Sequence, residues 1–162
     1  QGYGYSVDGL YDEISAILGL DKEYRMVIMG AGNLGQAIAK YTHFHKQGFK
    51  VCGVFEISPN LIGKDLDGIE IMDYENIVEY VEEEEIDIGI ICVNQNNAQE
   101  VADKLSFAGV KGIWNFAPTD IEVPKHVALE NVHLSDSLHS LAYHMNDIQK
   151  KDQSKEKAKK EE

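Results

Sequence analysis

Four things are scarce in this chain: cysteine, basic charge, long apolar runs and a basic start. Its two cysteines, Cys52 and Cys92, cannot build a disulfide framework or a four-ligand zinc site, and neither has a Cys or His close by in sequence. That usage fits a reducing cytoplasm. Lys and Arg number 15 against 28 Asp and Glu, a formal charge of -13 that repels the phosphate backbone on which nucleic-acid affinity depends, so the chain by itself is not expected to bind DNA. No run approaches the ~20 apolar residues of a membrane span, and Asp8, Asp12 and Glu13 stand where a signal peptide needs a basic start. A soluble, unsecreted protein without a membrane partner is expected. The first residue is Gln1 rather than Met, which suggests a fragment or a processed product.

What is present is an alternation. The 162 residues suffice for one compact domain. Leu10, Ile14, Ile17 and Leu18 follow helical spacing over residues 7–18, with Ser6 as N-cap and Gly19 as stop. Residues 24–29 are a dense apolar run ending in glycine, read as a buried parallel strand. Leu34, Ala37, Ile38, Tyr41 and His45 share one helical face up to Gly48, and residues 49–56 resume as strand. The pattern continues with strands over 68–71, 86–93, 112–116 and 127–132 and helices over 74–84 and 98–109. Strands alternating with helices predict an α/β fold, a doubly wound parallel sheet of the Rossmann type. Residues 136–149 then carry the stripe Leu138, Leu141, Ala142, Met145 and Ile148, a helix in need of a surface, and residues 150–162 read as a disordered charged tail. The Rossmann domain is therefore assigned to residues 1–135, and its first strand should lie between those holding Cys52 and Cys92, too far apart for a bridge.

One motif carries chemistry. Gly30, Ala31, Gly32, Asn33, Leu34 and Gly35 form a G-x-G-x-x-G placed directly after an apolar strand and opening an amphipathic helix. In that setting a pyrophosphate meets free N–H groups at the positive helix end, Gly30 permits the turn, Gly32 lets the backbone approach phosphate, and Gly35 lets helix and strand pack closely. A structural tight turn is the alternative. Glu56 closes the second strand, where a carboxylate hydrogen-bonds the adenosine ribose diol and repels a 2′-phosphate, which favours NAD(H) over NADP(H). The alternative for Glu56 is a solvated strand-end acid. The six histidines show no catalytic spacing, and H-E-x-x-H and G-x-S-x-G are lacking; no catalytic residue and no metal ligand are assigned. The acidic run at residues 82–85 reads as solvated surface.

These motifs, with Gly48-Phe49, Ile62-Gly63, residues 98–103 (Ala-Gln-Glu-Val-Ala-Asp), residues 115–118 (Asn-Phe-Ala-Pro), Val123-Pro124 and residues 138–143 (Leu-His-Ser-Leu-Ala-Tyr), resemble the C-terminal part of the Rex family of redox-sensing transcriptional repressors. The resemblance covers residues 4–143. It implies that NADH and NAD+ compete for one site, with Ile62, Val93, Asn94, Asn115, Phe116, Ala117 and Pro118 joining the glycine turn and Glu56 around the cofactor. It implies that Tyr41 faces the nicotinamide end, where some members pair it with an acid; that acid's position is His133 here. The family's Thr-Val-Pro reads Cys92-Val93-Asn94, and Glu56 stands where Asp is common. Similarity further implies a homodimer made by exchange of the helix at 136–149, against the alternative that this helix caps its own core. It also implies an N-terminal winged-helix domain, absent from this chain, through which operator DNA is bound. The expected function is an NADH/NAD+-sensing and dimerising domain of a cytoplasmic repressor rather than an enzyme; the alternatives are an NAD-dependent oxidoreductase remnant and a CoA-binding domain of related fold.

Overall fold

The computed structural model describes residues 6–19 and 21–160. A first compact unit runs to Asn131 and a second begins at Val132. The first unit opens with helix α1 (Val7–Ile17), capped as its sequence predicts by Ser6, whose side chain accepts the Gly9 N–H. Seven strands follow: β1 (Tyr24–Met29), β2 (Phe49–Glu56), β3 (Asp65–Leu66), β4 (Ile69–Asp73), β5 (Ile88–Ile91), β6 (Gly112–Asn115) and β7 (Ala128–Asn131). They lie in one sheet in the order β3-β4-β2-β1-β5-β6-β7. Strand β1 therefore sits between β2, which holds Cys52, and β5, which Cys92 follows, and both cysteines are free.

Helices cover both faces, so the core has two layers. On one face α4 (Ile77–Glu83) and α5 (Ala98–Ala108) bury Ile77, Val81, Val101 and Leu105 against Val27, Phe55 and Ile91. On the other, α2 (Asn33–Ala39) and α3 (His43–Lys46) bring Ile38 and Phe44 onto Met26, Ile28, Val54 and Ile90. Burying some twenty-five such side chains at roughly 25 cal/mol per Å2 of apolar surface is the main force holding the sheet between its helices. Strand β1 is buried on both faces from Met26 onward, which is why its sequence is continuously apolar instead of alternating. The described residues contain no helix long and apolar enough to cross a membrane.

Four local expectations need correction. The sheet is not wholly parallel: β3 pairs antiparallel with β4 across the turn Asp67-Gly68, both at positive φ (52° and 89°), a two-residue hairpin of the Asp-Gly kind. Strand β4 accordingly runs Ile69–Asp73 rather than 68–71. The helical face from Leu34 to His45 is broken into α2 and α3, because the Tyr41 N–H bonds the Ile38 carbonyl, tightening the last turn, and the chain then redirects Phe44 onto Trp114. The terminal helix, α6 (Asp136–Lys160), does not stop at Gln149. Residues 150–160 are helical where a disordered tail was expected: Lys, Glu, Gln and Ala are strong helix formers, no Gly or Pro interrupts them, and Lys151 pairs with Asp147 at 2.8 Å one turn back.

Candidate functional site

The loop between β1 and α2 lies at the carboxyl edge of the sheet, between neighbours β2 and β5 whose connections leave in opposite directions; this is where open α/β sheets bind ligands. Its glycines have separate reasons. Gly30 sits at φ +108°, and a Cβ there would stand 2.6 Å from the Cys92 carbonyl oxygen. Gly35, one turn into α2, would drive a Cβ into the Gly30 carbonyl, so helix and loop touch only because it is glycine. Gly32 has ordinary φ (-73°) and nothing within 4 Å of a would-be Cβ: it is the open position, and it is also the N-cap of α2, where no side chain caps the helix. The three roles match those a pyrophosphate cradle requires.

Glu56 touches this cradle directly. One carboxylate oxygen accepts the Ala31 N–H at 2.8 Å; the other accepts the N–H groups of Ile57 (2.7 Å) and Ser58 (3.1 Å). The acid thus holds the glycine turn in shape, and one acceptor site, on Oε2, stays open to a further donor. Gly30, Glu56 and Val93 line one cleft of about 130 Å3 with Phe55, Tyr74, Asn97 and Glu100. Tyr74, Asn97 and Glu100 escaped the sequence reading. The signal for Tyr74 was its place directly after β4, the parallel strand beside β2, since ligand groups collect at such strand ends.

The remaining expected site residues divide by position. Ala31 and Ala117 are buried, Leu34 and Ile62 half-buried, and Asn33, Asn94 and Pro118 exposed. Asn94 folds back to accept the Asn97 N–H at the start of α5. Asn115 is fully buried, and its amide donates to the Thr119 carbonyl and to Asn131 Oδ1, both at 2.9 Å, while its Oδ1 accepts the Ala117 N–H at 3.0 Å. It shapes the loop of Phe116, Ala117 and Pro118 from inside. Tyr41 is half exposed and packs edge-on against Phe44, which stands against Trp114 and so leads to Phe116. His133 belongs to the second unit and is half-buried. Burial pushes the Cys92 thiol up to about 12, so its reactive thiolate is scarce at neutral pH. Among the described residues, no group of His, Cys, Asp or Glu gathers that could hold a metal ion.

Residues 21–119 match the model of the CoA binding domain family. The redox-sensing transcriptional repressor Rex of Thermoanaerobacter sp. (strain X514) is 53% identical over 147 residues, which are 91% of this chain and 66% of that protein. Among solved structures, RSP, a Rex-family repressor, in complex with beta-NAD+ and operator DNA shares 51% identity at a TM-score of 0.84, covering 96% of this chain and 71% of that one. The chain belongs to the Rex family. RSP in complex with beta-NADH superimposes with a TM-score of 0.85 at 50% identity over 93% of this Rex-family chain and 73% of that one. The chain spans 66% of the length of its Thermoanaerobacter relative. The match to the CoA binding domain and the Rex relationship are compatible, since both rest on the same Rossmann segment.

Proposed function

We propose that this chain binds NADH and NAD+ in competition at the cleft beside Gly30, Gly32 and Glu56, and that it dimerises through α6, so that the nicotinamide redox state sets the operator affinity of a repressor. The observation that carries the reading is the glycine cradle: an uncapped helix start, an open Gly32, and a carboxylate already hydrogen-bonded to the same turn. The solved RSP complexes with beta-NADH and with beta-NAD+ and operator DNA support it in a relative of half-identical sequence. DNA contact is assigned to the family's winged-helix domain and not to this acidic chain. Ligand binding moves a dimer between two arrangements only by its differential affinity for them.

The dimer reading rests on α6. Leu138, Leu141, Met145 and Ile148 are all exposed in the single chain, an apolar stripe too long to be left in water. A second copy's helix is the occupant the family resemblance implies, with Tyr41 and His133 near the nicotinamide ends of the two sites.

Replacing Glu56 with Ala is expected to weaken NADH by about 1 to 3 kcal/mol, the worth of a hydrogen bond to a charged group, with a further contribution from the loosened Ala31 amide. Calorimetric titration measures it, and unchanged affinity would remove Glu56 from the ribose.

NADH is expected to bind more tightly than NAD+. The reduced ring is neutral and the oxidised ring cationic, and a pocket formed by Phe116, Ala117, Pro118 and the partner's terminal helix offers the cation little solvation. Competition of NADH against NAD+ and CoA checks this and the CoA alternative together. Equal affinities for the two redox forms would contradict the desolvation argument. Displacement by CoA would favour the CoA-binding reading, which the Glu56 carboxylate opposes because CoA carries a phosphate on its ribose. Sustained hydride transfer to a carbonyl substrate would favour an oxidoreductase.

A further inference from the structure

Among the described residues one buried side-chain polar atom has no hydrogen-bond partner: the hydroxyl of Tyr74. The residue is only 8% exposed, yet it lines the cleft that Gly30 and Glu56 also line. A phenylalanine would fill the same space without leaving a buried donor unpaired, so the hydroxyl is a cost to the folded chain that wants a partner from outside it. The Lys104 ammonium sits 3.9 Å from the Tyr74 ring centroid, and Lys104 is tied to Glu75 at 3.2 Å. Burial, helped by the nearby charges of Glu100 and Glu75, pushes the phenol up to about 12, so the group is a protonated donor throughout the neutral range.

Its position identifies the partner. The carboxyl ends of β1, β2 and β4 lie side by side, and Asp73, the residue before Tyr74, is the register partner of Glu56. Moving outward along that row, the glycine turn takes phosphate, Glu56 takes ribose, and the next group, about one strand spacing of ~4.8 Å further, is the base. The cleft there, about 130 Å3, has room for a flat ring and not for a whole dinucleotide. We propose that the Tyr74 hydroxyl recognises the adenine base of the bound nucleotide, donating to a ring nitrogen once the side chain turns toward the opening, and is therefore a specificity-determining residue of the adenosine half-site.

The inference rests on the NAD(H) reading above, and three ligands separate the two. NADH, AMP and reduced nicotinamide mononucleotide are titrated calorimetrically into the chain and into its Tyr74→Phe variant, with thermal unfolding of both recorded without ligand. Tyr74→Phe is expected to weaken NADH and AMP by the same factor, about fivefold, and to leave the mononucleotide unchanged. Its melting temperature is expected to stay level or rise, because the unpaired buried donor is gone. A hydroxyl with a purely structural role, such as one bonded to an internal water, would instead lower the melting temperature and leave AMP affinity alone, which overturns the proposal. If both proteins bind NADH and AMP equally well, Tyr74 is excluded while the cofactor reading stands. If the unaltered chain binds neither, the cofactor reading fails and takes this inference with it.

Discussion

Replacing Gly35 with Ala is expected to destabilise the chain by about 3 kcal/mol, at the upper end of what forced overpacking costs, and to abolish measurable NADH binding. The added methyl would occupy the space of the Gly30 carbonyl oxygen, with the Gly30 carbonyl carbon only 3.0 Å away and Ile28 Cγ2 at 3.4 Å. Backbone cannot rotate out of the way as a side chain can, so relief requires moving the whole turn away from α2. For a protein of this size the loss corresponds to a fall in melting temperature of roughly 6 to 12 °C, visible by circular dichroism. Gly32→Ala is the matched control. Nothing lies within 4 Å of its Cβ and its φ is -73°, so stability should not change. NADH affinity should nevertheless fall at least about tenfold, because the methyl stands where a pyrophosphate approaches the backbone. A Gly32→Ala variant that binds normally would show that phosphate does not lie on this turn. A Gly35→Ala variant as stable as the original would contradict the close contact of helix and loop.

The second large effect concerns assembly. Removing residues 136–162 is expected to convert a dimer into a monomeric or aggregating Rossmann core. Leu138, Leu141, Met145 and Ile148 are between 53% and 65% exposed in the single chain, and burying each against a partner is worth about 1.5 to 3 kcal/mol at most. Even a partial sum raises the dimer dissociation constant by a thousandfold or more, on the order of 4 kcal/mol. Leu141→Asp, which keeps the helix backbone and places a charge in the stripe, should act in the same direction. Light scattering at micromolar concentration distinguishes the outcomes. A truncated chain that remains a stable dimer would refute exchange of this helix.

Much of the fold was legible because it is written in short-range patterns. Strands β1 and β2 begin and end where the apolar runs of 24–29 and 49–56 do, and α5 stops at Gly109, whose φ of 104° only glycine adopts cheaply. The glycine motif was legible for the same reason, since its chemistry depends on backbone space within six consecutive positions. The Asp67-Gly68 hairpin was also legible in principle, because that dipeptide is a strong local turn signal, but its two-residue strand β3 is too short to show any periodicity. The break between α2 and α3 was not. A single helical face reads straight through Tyr41, and the interruption comes from a distant demand, the packing of Phe44 on Trp114 some seventy residues further on.

The sequence by itself determined the class of fold, the dinucleotide motif, the acid at the end of the second strand and the apolar stripe awaiting a surface, for each depends on spacing along one element. Only the tertiary structure decided which strand ends stand side by side, and with that what each side chain meets. Asn115 belongs to a segment that carries the Rex resemblance, and the fold turns it inward, where its amide bonds Thr119 and Asn131. Glu56 was legible as the acid that closes the second strand, but its bond to the Ala31 N–H exists only because β2 lies beside β1. Tyr74, unremarkable in the sequence, becomes part of the cleft because β4 crosses over to pair with β2. Burial and unmet hydrogen bonds arise from contacts between residues far apart in the chain, and no local pattern encodes them.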